Sequence, residues 1–495
     1  MSPTAELVDR FRAAITARFG LSFDDTKLEF LSEVLERRAS ATGGSAERYV
    51  ERLGGGVTHD ELRQLTQELT VGETYFFRNI EQFNALAEVV LPDRSAARKS
   101  TRTLRLLSAG CASGEEAYSL EIWLREHLLE PGWTVAVQAI DLNATSLAKA
   151  AAGRYAKWAL RETPAELQER WFRPSGRDFV IDQGVREAVR FDERNLLHDD
   201  PAIWPPERYD VVFCRNVLMY FSPEHAADIV ARITRSLAPG GYLFLGHAEN
   251  LRGLSHQFHL CHTHGTFYYQ RKDGPPSSWV VEHAPHPGEP ISMEGGTWVD
   301  TIQRAADRIS ALSAGASEGG PLGGALPGAV DLSAVLLLLQ HERFTDALAQ
   351  LDALSGAARD EPNALLLRGV LLTHSGQWEA AEAVCHELLA LDELSAGAHY
   401  LLALCREGTR QLRSALEQDQ VAAYLDPGFA MPRLHLGILA RRTGDSVLAR
   451  RELEQALILL AREDASRLLL FGGGFAREAL MQLCRTELRA VGGHP

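Results

Sequence analysis

Residues 104–143 read LRLLSAGCASGEEAYSLEIWLREHLLEPGWTVAVQAIDLN, and the reading of this stretch decides the fold. Residues 104–107 are a short apolar run suited to a buried parallel strand, and Gly110 and Gly114 bracket a loop that opens into a helix. Glu115 and Glu116 fall in the first helical turn, where negative charge complements the helix dipole. Ala117, Leu120, Trp123, Leu124 and Leu128 make one apolar face, and a second strand over 135–140 delivers Asp141 at its carboxyl end. Strand, glycine loop, helix, strand and acid form half of a doubly wound, Rossmann-like α/β sheet. In such sheets ligands sit outside the strand carboxyl ends, and an acid after the second strand accepts hydrogen bonds from ribose hydroxyls.

The loop discriminates between nucleotides. A pyrophosphate needs the G-x-G-x-x-G spacing so that backbone amides approach it closely, and this loop lacks that spacing. S-adenosylmethionine carries no phosphate, so a looser A-G-C-A-S-G loop suffices to pass its methionine and ribose. Taken alone, the loop is equally compatible with a purely structural βαβ unit.

Four further blocks join it. TVGETYFFR (70–78), SAGCASGEEAY (108–118), Asp141 with the following LNATSLAKA, DVVFCRNVLMYF (210–221) and GGYLFLGHAEN (240–250) occur in this order. Together they closely resemble the chemotaxis-receptor glutamate methyltransferase family, CheR, over about residues 10–271. The resemblance implies an enzyme that uses S-adenosylmethionine, releases S-adenosylhomocysteine, and esterifies glutamate side chains in the cytoplasmic domain of a chemoreceptor. It also implies that Thr74 and Arg78 lie at the cofactor and active site and that Asn195 and Leu196 lie near the adenine. The family commonly has Asn where Gly72 stands.

The residues themselves support specific roles. A guanidinium emerging from the Phe76-Phe77 pair suits bidentate capture of a carboxylate, with a structural salt bridge as the alternative for Arg78. Arg215 and Asn216 follow the apolar strand 209–214 at its carboxyl edge. A glutamate carboxylate with reference pKa near ~4.3 is already ionised at neutral pH, so methyl transfer needs alignment and desolvation rather than a general base. The expected catalytic residues are Arg78, orienting the glutamate, and Tyr220, hydrogen bonding near the reacting centre; a structural tyrosine is the alternative for the latter. The expected cofactor-binding set is Thr74, Arg78, Gly110, Glu115, Asp141, Asn195, Leu196, Arg215 and Asn216. No metal is expected: His256, His259, His262 and His264 surround Cys261 without a structural ligand spacing.

Composition bounds the rest. A net charge of −15 argues against nucleic acid as the main partner. Six cysteines without a C-x-x-C pair suit a reducing compartment. The leucine run 336–339 is far too short to cross a membrane and no signal peptide is evident, so a cytoplasmic location without membrane insertion is expected, with recruitment to receptor arrays left open.

A chain of 495 residues predicts about three domains. Residues 1–85 form the first, all-helical, with Leu7, Phe11, Ile15 and Phe19 at helical spacing. In the segment LSEVLERRAS, Arg37 and Arg38 sit among Glu33 and Glu36, which reads either as a solvated face of paired charges or as a docking face. The catalytic domain spans 86–271, with a small antiparallel β insert at about 172–194 built from strands 179–182 and 188–192 around a QGVRE turn. Some family members grip a receptor pentapeptide with this insert; the shorter insert here argues against carrying that over. Residues 272–327 read as a Pro/Gly-rich linker with a short helix at 305–312. From 328 to 495 the chain repeats: Ala347, Ala381, Ala415 and Ala449 are spaced by 34, and Gly376 and Gly444 by twice that. This is the tetratricopeptide period, giving an all-α array of four repeats from near 328, 362, 396 and 430, a cap helix at 475–491, and a groove for an unidentified protein partner. A small-molecule O-methyltransferase and a cofactor-sensing scaffold without turnover are the competing functions.

Overall fold

A computed structural model describes residues 3–70, 72–127, 132–272, 332–341, 343–354 and 359–492. The linker beyond Lys272, its short helix and the start of the first repeat lie outside the described residues, as does Leu128. The chain divides into two compact units, Met1–Glu282 and His283–Pro495.

The first unit begins with α1 (Ala5–Phe19), α2 (Leu28–Ala41), α3 (Ala46–Leu53) and α4 (His59–Leu69). Thr4, Ser45 and Thr58 cap α1, α3 and α4 by accepting amide hydrogen bonds, which supplies helix-start partners that water otherwise provides. Phe11, Ile15, Leu31, Val34, Leu35, Tyr49 and Leu65 fill the core between the helices. The arginines of α2 are consumed in pairs: Arg38 binds Glu61 at 2.5 Å and Glu68 at 3.3 Å, and Arg37 binds Glu68 at 2.9 Å. The paired-charge reading of that helix is therefore the one realised.

Helix α5 (Ile80–Ala85) continues through a π-helical turn, Leu86–Val90, into α6 (Leu91–Ala97). The sheet follows: β1 (Thr103–Ala109), α7 (Glu115–His127), β2 (Thr134–Asp141) and α8 (Ala144–Ala152). Strand β3 (Arg154–Ala156), α9 (Ala165–Trp171), β4 (Phe172–Ser175) and β5 (Asp178–Ile181) come next. Then come α10 (Gln183–Ala188), β6 (Val189–Glu193), β7 (Tyr209–Cys214), α11 (Pro223–Ser236), β8 (Leu237–Leu245), β9 (Phe258–Thr263) and β10 (Thr266–Arg271). Seven strands lie in the order β6-β2-β1-β7-β8-β10-β9, parallel except for β10, which is antiparallel to β8 and β9. The chain leaves β1 toward β2 on one side and later returns to β7 on the other, so the switch point lies between β1 and β7, the place where such sheets bind ligands. All six positions of β7 are buried, as a central parallel strand covered on both faces requires.

The insert differs from expectation. It is a three-stranded sheet, β3-β5-β4, spanning 154–181 rather than 172–194. The QGVRE segment is not a turn but α10, whose first turn is capped by Asp182 at 2.9 Å from the Gly184 amide and 3.2 Å from that of Val185. That helix carries the chain back to the main sheet, where β6 pairs in parallel with β2 from Val189 opposite Val137 to Glu193 opposite Asp141. The Pro239-Gly240-Gly241 segment lies inside β8, where an irregularity in the pairing with β7 absorbs it.

The second unit consists of antiparallel helix pairs. Ser333–Gln340 pairs with Phe344–Asp352, Pro362–His374 with Trp378–Leu391, Ala396–Gly408 with Leu412–Leu425, and Ala430–Arg442 with Ser446–Leu460. The repeats thus start at Pro362, Ala396 and Ala430, in the expected register, and the four alanines spaced by 34 are all completely buried. At the turns within the second, third and fourth pairs one residue is left-handed: Gly376, Arg410 and Gly444, again 34 apart. The end of the array differs from expectation, because a short helix, Ala465–Phe471, precedes the last one, Arg477–Gly492. The cap is therefore a fifth, truncated pair, broken at Gly472 to Gly474. Among the described residues no helix is long and apolar enough to cross a membrane. All six cysteines are buried and unbridged.

Candidate active site

Two adjoining cavities open at the carboxyl ends of β1, β2 and β7, about 100 and 250 Å³ in volume. A typical small-molecule site spans ~300–1,000 Å³, so an elongated ligand needs both. They share Gly110, Ala112, Asn216 and Tyr220. The first chamber is bounded by Leu21, Leu69, Leu142 and Leu196, with Asp141, Asn143 and Asn195 as polar residues. The second is lined by Thr74, Tyr75, Arg78, Glu116 and Arg215.

Gly110 follows β1 with φ of 80°, and a Cβ there would stand 2.4 Å from Val217, so the loop shape demands glycine. Asp141 clamps the same loop: its Oδ2 accepts the Ala112 amide at 2.8 Å, and its Oδ1 accepts the Asn143 amide at 2.7 Å. Burial raises its pKa, opposed by these amides. Each oxygen retains a lone pair for a further donor. Asn143 accepts the Thr145 and Ser146 amides at the start of α8 and donates to Thr70 Oγ1 at 2.9 Å, tying the end of α4 to the chamber wall. Asn195 holds the Leu197 amide at 2.9 Å.

The second chamber is electrostatically richer. Arg215 is buried; its Nη2 donates to the Arg78 carbonyl at 2.6 Å and to Asn79 Oδ1 at 2.9 Å. Its Nε lies 3.6 Å from Glu116 Oε2, and Nε and Nη1 have no hydrogen-bond partner among the described residues. Glu116 accepts from Ser108 Oγ at 2.7 Å; burial lifts its pKa and Arg215 pulls it back. Arg78 is half-exposed and donates only a long 3.4 Å bond to the Glu73 carbonyl, with no ion pair to a described carboxylate.

Of the residues expected from sequence, Thr74, Arg78, Gly110, Asp141, Asn195, Leu196, Arg215, Asn216 and Tyr220 all line one chamber or both. Glu115 does not. Its carboxylate turns to Ser113 Oγ at 2.9 and 3.1 Å, and the next residue along α7, about 100° further round, faces the chamber instead. Glu116, Asn143 and Glu249 were not singled out from sequence. Glu249 is buried and its carboxylate accepts four amides: Asn216 at 2.6 Å and Gly246 at 2.8 Å on one oxygen, Val217 at 2.8 Å and Met219 at 3.3 Å on the other. It holds the loop that carries Arg215 and Tyr220. The block GGYLFLGHAEN contained it, but nothing in the sequence said which amides it would meet. Among the described residues no cluster of histidine, cysteine or acid suits a metal, and His262 stacks on Phe267 instead.

The N-terminal helices complete the site. Leu21 pairs with Phe221, the Ser22 amide donates to the Tyr220 carbonyl at 2.8 Å, and Arg63 binds Glu193 at 2.6 Å.

These features fit S-adenosylmethionine: a glycine cradle too tight for a side chain, an acid with spare acceptor capacity, and a buried guanidinium with an unfilled donor beside a second acid. The family model described as "CheR methyltransferase, SAM binding domain" matches residues 72–267. Chemotaxis protein methyltransferase 2 of Vibrio cholerae is 34% identical over 255 residues, covering 51% of this chain and 88% of its own. The probable biofilm formation methyltransferase WspC of Pseudomonas aeruginosa is 28% identical over 458 residues, covering 90% of this chain and 98% of its own. The Yersinia enterocolitica translocator chaperone SycD overlaps 30% of this chain and 91% of its own at 20% identity, with a TM-score of only 0.23. With the site built at the switch point of the sheet and a relative matched over nearly its whole length, the chain belongs to the CheR family of methyltransferases, with S-adenosylmethionine as cofactor.

Proposed function

We propose that this chain methylates glutamate side chains of a chemoreceptor-type protein, forming methyl esters. The observation that carries the reading is Arg78, a guanidinium without a carboxylate partner at the mouth of the second chamber. Left open beside the reacting centre, it suits a carboxylate substrate. When bound, S-adenosylmethionine supplies an electrophilic methyl group. The residues of the chain then have three tasks. Asp141, with Asn195 and Leu196, holds the nucleoside end; Glu116 and Arg215, with Thr74, Gly110 and Asn216, hold the charged amino-acid end. Arg78 orients the incoming glutamate, and Tyr220, which lines both chambers, hydrogen bonds where they meet. No base is assigned, since the acceptor is ionised at neutral pH.

The catalytic part is read as 1–85 plus 86–271 and the array as 328–495, joined by the 272–327 linker and located in the cytoplasm. The array is read as the dock for a protein partner. The names of the relatives support two settings. Several carry chemotaxis names over the catalytic part, whereas two that match about 90% of this chain are named for biofilm formation, which favours that setting here. The test is transfer of labelled methyl from S-adenosylmethionine to receptor cytoplasmic fragments, followed by base treatment. Release of the label as methanol is expected. Base-stable label, or label only on small molecules, refutes the proposal.

A further inference from the structure

Among the described residues of the first unit, two large apolar side chains are strongly exposed: Trp158 at 69% and Met219 at 60%. One lines the second chamber and the other joins it through its neighbours. Met219 is part of its wall. Trp158 lies in the helical turn Lys157–Leu160 that follows β3, and it reaches the chamber through a stack of alternating rings and cations. The Arg161 guanidinium lies 4.2 Å from the Trp158 ring centroid and 3.6 Å from that of Tyr75, while its Nη1 donates to the Trp158 carbonyl at 3.0 Å. Tyr75 lines the chamber and carries Arg78 at 5.6 Å from its centroid. Stacking between two faces fixes a guanidinium in plane and leaves its edge N–H groups to be met from outside. Arg161, like Arg78, has no ion pair to a described carboxylate. The acids nearby are Glu162, which with burial raises the Tyr75 phenol against the pull of Arg78 and Arg161, and Glu73 on the chamber rim.

Two open cations over one ring can be no further apart than arms of 5.6 and 3.6 Å laid end to end. That bound admits acidic side chains one turn apart on a single helix face, ~5.4 Å of rise, and those two turns apart when they lean together. We propose that Trp158, Arg161 and Tyr75, with Met219 across the mouth, form a docking rail for an acidic amphipathic helix of the substrate, and that Arg161 reads a second carboxylate within two turns of the glutamate held by Arg78. The inference rests on the glutamate-methylation reading and extends it to the flanking sequence. The exposed rings supply apolar contact for the same helix face. Two guanidinium groups left open beside one chamber are complementary to an acid-bearing segment.

The test uses the full-length protein and receptor fragments containing the methylated helix. Initial rates are measured for wild type, Trp158→Ala and Arg161→Gln, with the native fragment and with one whose acids within two turns of the target glutamate are changed to glutamine. Trp158 is exposed and Arg161 half-buried, and S-adenosylhomocysteine binding checks the cofactor site. Each variant is expected to raise KM about fivefold to tenfold with kcat within about twofold, the signature of lost uniform binding. The acid-depleted fragment raises KM for wild type by a similar factor, and Arg161→Gln adds nothing further to it. Unchanged KM in the variants on a fragment that wild type does methylate overturns the rail alone. The same holds for additive effects of Arg161→Gln and acid removal, and for variant losses that track weaker cofactor binding. Absence of labelling by wild type overturns the glutamate reading, and the rail with it.

Discussion

Replacing Glu249 by glutamine tests how the catalytic loop is held. The carboxylate satisfies four amides, two on each oxygen, and a glutamine amide offers a single acceptor oxygen. The shorter pair, Asn216 and Gly246 at 2.6 and 2.8 Å, will keep the oxygen, leaving the Val217 amide at 2.8 Å facing an NH2 group. A bond to a charged acceptor is worth about 1.5–3 kcal/mol, and an unsatisfied buried amide costs a comparable amount, so the loop loses about 2–4 kcal/mol. The 3.3 Å bond to Met219 adds little. Asn216 has a φ of 57°, a conformation that relaxes once its anchor weakens. Because Asn216 lines both chambers, the loss is felt as cofactor affinity and turnover, together about tenfold for every ~1.4 kcal/mol not absorbed elsewhere. Calorimetry with S-adenosylhomocysteine gives the affinity, and hydrogen exchange at 216–219 reports whether the loop has loosened. Wild-type affinity and rate, with those amides protected as before, would refute the reasoning.

Other outcomes follow from the same geometry. Asp141→Ala removes the clamp on the Ala112 amide together with a ribose acceptor and is expected to weaken cofactor binding by about 1.5–3 kcal/mol or more, measured by calorimetry, with secondary structure retained. Arg78→Ala reduces turnover on a receptor fragment far more than it reduces cofactor affinity, and Tyr220→Phe slows turnover by a smaller factor; wild-type rates in both would remove them from the site. Arg410→Gly relieves a left-handed, exposed, non-glycine residue at a turn where the neighbouring repeats carry glycine, and should stabilise the array by about 0.5–1 kcal/mol in thermal melts. In the array core, burial alone would lower the His435 pKa, but Asp419 at 2.7 Å and Glu407 at 3.0 Å outweigh it and hold the imidazole at about 10. The folded value lies above the unfolded ~6.5, so this stabilisation is full below about pH 6.5 and is lost as pH rises through about 10, and melts of the full chain between pH 7 and 10 should show a fall that His435→Gln flattens.

Much of this was legible locally. The strand, loop and helix of 104–127 could be read because apolar runs and glycine positions act within a few residues, and the alanines spaced by 34 fall at helix contacts that only a small side chain fits. What failed also failed locally. The QGVRE segment gave no sign that Asp182 would cap it into a helix, and a β-rich reading of 188–192 was right about the strand but wrong about its sheet, because pairing with β2 is decided some fifty residues away in sequence. Glu115 and Glu116 are chemically identical neighbours. Which of them faces the chamber is set by the rotation of α7 against β1, and no property of either residue encodes that.

The backbone itself marks the site. Among the described residues eight non-glycine residues have positive φ, and four of them, Phe77, Asn79, Ala112 and Asn216, with φ between 46° and 60°, stand at the rim or support of the second chamber. Such conformations cost on the order of 1–3 kcal/mol each and persist only where surrounding structure over-determines them. Each here is pinned by a side chain from elsewhere in the chain. The Phe77 amide donates to Ser119 Oγ at 2.9 Å, Asn79 Oδ1 accepts from Arg215 at 2.9 Å, the Ala112 amide donates to Asp141 at 2.8 Å, and that of Asn216 to Glu249 at 2.6 Å. Two of the pins, Asp141 and Arg215, also line the chambers. Binding chemistry and backbone strain are therefore one network: a ligand donor to Asp141 or acceptor from Arg215 acts on a side chain that already holds a strained loop in place. This is why substitutions at Ser119 or Glu249, which line neither chamber, are expected to reach the reaction through Phe77 and Asn216, and why the residues that build this site are spread from 77 to 249 rather than gathered in the glycine loop.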